Sequence, residues 1–94
     1  MPLFVLHCLD KPDSLDLRLA TRDRHLAYIQ SRLADIRIAG PMLGDADQMA
    51  GSMFILDVAD RAAAEAFNAD DPYTQAGLWE RVALNPVKVT FGQL

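Results

Sequence analysis

Arg18-Leu19-Ala20-Thr21-Arg22-Asp23-Arg24-His25-Leu26-Ala27-Tyr28-Ile29-Gln30-Ser31-Arg32-Leu33 has helical spacing and parts two apolar runs, which predicts a helix between two strands. Leu15, Leu19, Leu26, Ile29, Leu33 and Ile36 recur at intervals that put them on one stripe at about 100° per residue. Two cationic or titratable residues break the pattern. Arg22 projects into the middle of the stripe, roughly 20° from its centre, and His25 lies on its edge, roughly 80° away. Arg18 is one turn before Arg22, on the His25 side. A cation aimed at the inside of a domain requires an anion, a hydrogen-bonding network or a cavity. That conflict between pattern and residue type marks a functional site.

On either side of this helix lie apolar runs that read as strands. Leu3 to Cys8 is continuous and bounded by Pro2 and by Asp10-Lys11-Pro12-Asp13, which predicts a central strand buried on both faces. Asp13 or Ser14 is placed to cap the helix, which is expected to run to about Asp35. Arg37 to Met42 carries a second strand, with Gly40-Pro41 marking an irregularity or an edge. The acidic loop Gly44 to Gly51 lacks the ligand spacing and closing Glu of a calcium loop. Ser52 to Val58 reads as a third strand. Asp60 caps a second helix, Arg61 to Ala69, and Asp71-Pro72 starts a short third one that ends near Gly77. The last strand is expected over Trp79 to Phe91, with a bulge or bend at Pro86, where the side-chain parity switches.

The order strand, helix, strand, strand, helix, strand is the ferredoxin-like βαββαβ arrangement, an α+β fold with a four-stranded antiparallel sheet. Right-handed crossovers put both helices on one face. The other face would then expose apolar residues, since Phe4, Leu6, Met53, Phe54, Ile55 and Leu56 occupy both parities. A patch of that size predicts a homodimer packed sheet against sheet. His7, on an apolar strand, is assigned a core or interface role.

The totals narrow the classes. The 94 residues suffice for one domain spanning 1–94. A net charge of −4, with no basic stripe, argues against a nucleic-acid binder. The single Cys8 offers no disulfide framework and no thiolate cluster, and fits a reducing, cytoplasmic setting. No basic region precedes the first apolar run, and Asp10 and Lys11 end it early, so neither a signal peptide nor a membrane span is expected.

An ordered set of short motifs resembles the YCII-related (YciI-like) domain family. It comprises Asp13-Ser14-Leu15 leading to Arg18-Leu19, then Arg22-x-x-His25-Leu26, Ala39-Gly40-Pro41 and Gly51-Ser52. Asp71-Pro72-Tyr73, Ala76-Gly77 and Asn85-Pro86 complete it. The middle loop, around Gly44 to Ala50, is short where longer members carry an insert. The resemblance implies a ferredoxin-like, dimeric α/β-barrel fold and a histidine–aspartate pair at an active site. It also implies, for some members, dehydrochlorination of a hydroxylated aromatic. Matched by position, the histidine is His25 and the aspartate Asp71, with Asp10 as the second candidate.

The residues support that chemistry in their own right. An imidazole titrates near neutrality, and a carboxylate on one ring nitrogen fixes its tautomer and raises its basicity. Asp71 is equally a ready N-cap worth on the order of 1 kcal/mol, and a carboxylate can serve both ends. Arg22 and Arg18 suit an anionic ligand, or an ion pair with Asp10, Asp13 or a C-terminal acid. Ser52 is a candidate donor to a ligand, without the spacing of a nucleophile, and Tyr73 a candidate aromatic wall. No dinucleotide fingerprint and no metal-ligand spacing is present, so no metal and no cofactor is expected. The reading is a cofactor-free acid–base enzyme, lyase- or isomerase-like, acting on a small anionic or phenolic molecule. The alternative is a non-catalytic small-molecule-binding or accessory domain on the same fold.

Overall fold

The apolar run at the N-terminus forms β1 (Leu3–Asp10), and both of its edges are paired. In the computed structural model, which describes residues 2–94, β1 is followed by α1 (Leu15–Ser31) and a 3₁₀ turn at Leu33–Asp35. Next come β2 (Ile36–Leu43), β3 (Met49–Asp57), α2 (Arg61–Ala69), α3 (Pro72–Gln75) and β4 (Trp79–Val87). The sheet order is β2-β3-β1-β4 with every neighbouring pair antiparallel, which is the ferredoxin-like topology. No helix among the described residues is long and apolar enough to cross a membrane.

The core lies between the sheet and the helices. Phe4, Leu6 and Cys8 of β1 and Phe54 and Leu56 of β3 alternate onto that side and meet Ala64 and Phe67 of α2. Asp60 caps α2, its side chain accepting from the Ala63 amide at 2.8 Å. Pro72 takes the first turn of α3 and Asp71 caps it, accepting from the Tyr73 amide at 2.9 Å. Gly77, at φ 75°, ends that turn in a conformation that costs a residue without a Cβ nothing.

Several expectations need correcting. The face of α1 turned to the core carries Arg18, Thr21 and His25, not the leucine stripe. Leu19 is 51% exposed and Leu33 53%. The buried stripe and the apolar stripe are rotated by about 90° from one another around the helix, sharing Ile29 near their boundary. Arg22 is therefore exposed, and Arg18 is the guanidinium that points inward. Ser14 occupies the N-cap position of α1 but makes no capping bond; its hydroxyl donates to the Pro12 carbonyl instead.

The strands differ in extent. β1 is covered by helices on one face only, with Val5 half-buried and His7 exposed on the other. β3 starts at Met49 rather than Ser52. β4 ends at Val87, and Val89 and Phe91 lie outside it. Pro86 pairs with Phe4 in regular register; the irregularity falls between Leu9 and Asp10, opposite the other end of β4. An edge strand loses no ladder bond at a proline that faces outward, which explains the unbroken register. Beyond β4, residues 88–94 share a shallow cleft with Ile38, Met53 and Ile55 on the open face, and Phe91 stays 93% exposed.

Candidate active site

A cavity of about 230 Å³ opens between α1, β2 and β3. Its polar lining comes from Arg18, Arg22, His25, Ser52 and Tyr73, and its apolar walls include Leu26, Ile29, Pro41, Met49 and Phe54. The helix face that looks anomalous by hydrophobic periodicity is thus one wall of this cavity.

Two buried pairs organise the polar end. In the first, His25 Nδ1 and Asp71 Oδ1 are 2.8 Å apart, and Asp71 is 1% exposed. A carboxylate oxygen accepts, so Nδ1 must carry the proton in this bond. Asp71 Oδ1 also accepts from the Tyr73 amide, so one oxygen caps α3 and orients the imidazole at once. Asp71 Oδ2 is buried with no hydrogen-bond partner among the described residues. His25 Nε2 bonds to no other described residue, and the ring lines the cavity. The Tyr73 ring stacks on the imidazole at 3.9 Å and 15°.

In the second pair Arg18, 2% exposed, donates from Nε to Asp10 Oδ2 at 2.8 Å and from Nη2 to Asp10 Oδ1 at 3.0 Å. Nη2 also reaches Ser52 Oγ at 2.9 Å. Burial works against the Arg18 charge, but the hydrogen bond and attraction of Asp10 outweigh it and hold the guanidinium above its usual range. The Arg18 guanidinium carbon sits 4.7 Å from the Tyr73 ring centroid, a cation–π distance. Because Ser52 Oγ already accepts from Arg18, its own proton is available to a ligand. Burial raises the Tyr73 phenol despite the nearby guanidinium groups of Arg18 and Arg22, so it stays protonated at neutral pH.

All six sequence-predicted site residues converge, with Asp71 behind His25 and the other five lining the cavity. Asp10, the alternative partner for His25, belongs to Arg18 instead. Arg22 stands at the rim without a hydrogen bond or ion pair to another described residue. Sequence reasoning missed the apolar walls Met49 and Phe54. Phe54 had a readable signal, since it alternates with Ser52 on one face of β3. Among the described residues no three His, Cys, Asp or Glu side chains are grouped to hold a metal ion.

Comparison with known proteins adds the family. The model of the YCII-related domain matches residues 2–88. The chain belongs to the YCII-related domain family. A relative, Protein YciI of Escherichia coli O6:H1 strain CFT073, is 37% identical over 97 aligned positions that take in 95% of this chain and 99% of that protein. Among solved structures, this YCII-related domain is similar to 5-chloro-2-hydroxyhydroquinone dehydrochlorinase (TftG) of Burkholderia phenoliruptrix AC1100, solved in complex with 2,5-dihydroxybenzoquinone. The two share 33% identity at a TM-score of 0.86, covering 92% of this chain and 93% of that one. An antibiotic biosynthesis monooxygenase is 15% identical at a TM-score of 0.56, covering 96% and 99%, and shows the shared fold alone.

Proposed function

We propose that this YCII-related domain is a cofactor-free acid–base enzyme acting on a small anionic or phenolic molecule, by elimination or isomerisation. The observation that carries the reading is the buried His25–Asp71 bond beside a cavity of ring size. Asp71 holds the imidazole proton on Nδ1, which leaves Nε2 as the basic atom on the cavity side. Nε2 takes a proton from a hydroxyl or from a carbon next to a carbonyl. The electron pair left behind forms the new π bond, and a leaving group departs with its own bonding pair. In an isomerisation the same proton is returned at another carbon.

The other groups divide the work of binding. Ser52 donates to a substrate oxygen, and its bond to Arg18 strengthens it as a donor. Arg22 meets the substrate's negative charge at the rim. Arg18, neutralised by Asp10, orients Ser52 and Tyr73 rather than binding an anion itself. Similarity to a dehydrochlorinase across nearly the whole chain supports elimination of halide from a hydroxylated aromatic as the first reaction to assay. The open sheet face, with half-buried Val5, Met53 and Ile55 and exposed Ile38, supports a homodimer packed sheet against sheet. A monomer by light scattering at micromolar concentration would remove that part of the reading.

The test is a screen of halogenated hydroquinones and catechols for halide release, with His25→Ala as the control. Loss of the base is expected to lower turnover by at least about 100-fold. Turnover unchanged in His25→Ala would sink the mechanism. A ligand bound and recovered unchanged, with binding lost in Arg22→Ala, would favour a binding domain instead.

A further inference from the structure

Behind Asp71 runs a second set of hydrogen bonds that the proposed chemistry does not use. Trp79 Nε1 donates to Thr74 Oγ1 at 2.8 Å, and Thr74 Oγ1 lies 3.1 Å from Asn68 Oδ1. The direction of this relay is fixed by chemistry. An indole N–H only donates, so Thr74 must accept from it and spend its own proton on Asn68. Asn68 Oδ1 takes a further, longer contact from the Cys8 thiol at 3.7 Å. Burial, with Asp71 and Asp10 adding to it, pushes that thiol up to about 12, so it remains a donor throughout the neutral range.

We infer that Thr74 is a positioning residue for the His25–Asp71 pair, acting through this relay; the inference rests on the acid–base reading of the cavity. Asn68 and Thr74 stand three residues before and three after Asp71. Their side-chain bond closes the α2–α3 connection into a loop with Asp71 at its middle. The Asp71 amide also donates to the Asn68 carbonyl at 3.3 Å, and the Gln75 amide to the Asp71 carbonyl at 3.1 Å. Trp79 ties the same loop to the sheet, and its ring meets Tyr73 edge-on at 5.7 Å. The Asp71 carboxylate that bonds to His25 and the Tyr73 ring that stacks on it are both carried by this one short segment. A helix of four residues has too few internal bonds to hold a carboxylate at hydrogen-bonding distance from another helix on its own. The relay supplies that constraint.

The experiment compares Thr74→Val, which keeps the volume and removes the hydroxyl, with Thr74→Ser, which keeps the hydroxyl. Trp79→Phe is the second probe, keeping an aromatic ring and removing the N–H. Two readouts go beyond stability. One is the ring ¹⁵N spectrum of His25, which reports which nitrogen carries the proton without any substrate. The other is the split between kcat and KM for a substrate from the halide-release screen. Thr74→Val and Trp79→Phe are expected to move the His25 ring proton partly off Nδ1 and to lower kcat about tenfold with KM within about twofold. Thr74→Ser is expected to restore both. A Thr74→Val protein that melts lower but keeps the wild-type His25 spectrum would overturn the inference, leaving the relay a structural tie only. If Thr74→Val does not fold, Trp79→Phe with an unchanged His25 spectrum overturns it in the same way. A wild type that binds but turns over nothing would defeat the enzymatic reading, while the ring spectrum still decides the role of Thr74.

Discussion

Replacing Asp10 by Asn removes the only anion among the described residues that Arg18 touches, while keeping the shape of the site. Arg18 is 2% exposed, and Asp10 binds it through both carboxylate oxygens at 2.8 and 3.0 Å. Breaking a buried pair from one side leaves an uncompensated charge and costs about 3–5 kcal/mol. A domain of 94 residues has a total stability of only about 5–14 kcal/mol, so the loss is a large share of it. At about 4–8 °C per kcal/mol for a domain of this size, Tm should fall by at least about 12 °C. The assay is thermal and urea unfolding at pH 7, on wild type, Asp10→Asn and the double variant Asp10→Leu/Arg18→Met. The double variant removes both charges and should recover most of the loss, since apolar replacement of a buried pair is often neutral or better. A cost below about 1 kcal/mol for Asp10→Asn is what a solvated surface pair would give. That result would refute the view that Arg18 is spent on Asp10, and with it the assignment of Arg22 as the ligand's cation.

Three further outcomes follow from single residues. Gly51→Ala should cost about 1–3 kcal/mol in urea unfolding, because a Cβ there meets the Cys8 carbonyl oxygen and Met42 Cε. Cys8 lies at about 12 in the fold against 9.0 for an unperturbed thiol, so the native state keeps its proton where the unfolded state releases it. Its stabilising contribution is whole below pH 9 and lost as pH rises from about 9 towards 12; wild type should weaken relative to Cys8→Ala over that range, and native Cys8 should resist thiol reagents at pH 8. Arg22→Met should raise KM for an anionic substrate about tenfold, about 1.4 kcal/mol, with kcat within about twofold, and leave a neutral analogue unaffected.

The parts of this chain that read correctly from sequence are those where local chemistry and tertiary structure agree. Asp60 followed by alanines gave α2 with the bounds that the structure shows, because a cap and high propensity suffice for a short helix. Asp71-Pro72 likewise fixed the start of α3. The rotation of α1 was not legible, because periodicity assumes that apolar side chains face the core. Here Arg18, Thr21 and His25 take that place, since the sheet beneath them supplies Ser52, Asp10 and a cavity rather than a closed apolar surface. Arg22 was therefore assigned the inward direction that belongs to Arg18. The end of β4 was misplaced for a related reason. Val87, Val89 and Phe91 alternate as a strand would, but residues 88–94 have left the ladder for the open face. The relay through Thr74 left no periodic trace at all, because its members come from four different elements.

If Asp71 holds the His25 proton on Nδ1, Nε2 is left free towards the cavity. Long-range ¹H–¹⁵N spectra of the His25 ring at a pH where imidazole is neutral test it directly, with His7, exposed on the far face, as the internal reference. The expected result is a protonated Nδ1 and an unprotonated Nε2 at His25, reversed or mixed in Asp71→Asn. An Nε2–H tautomer in the wild type, unchanged by Asp71→Asn, would mean that the carboxylate only caps α3, and the acid–base account of the cavity would fail with it.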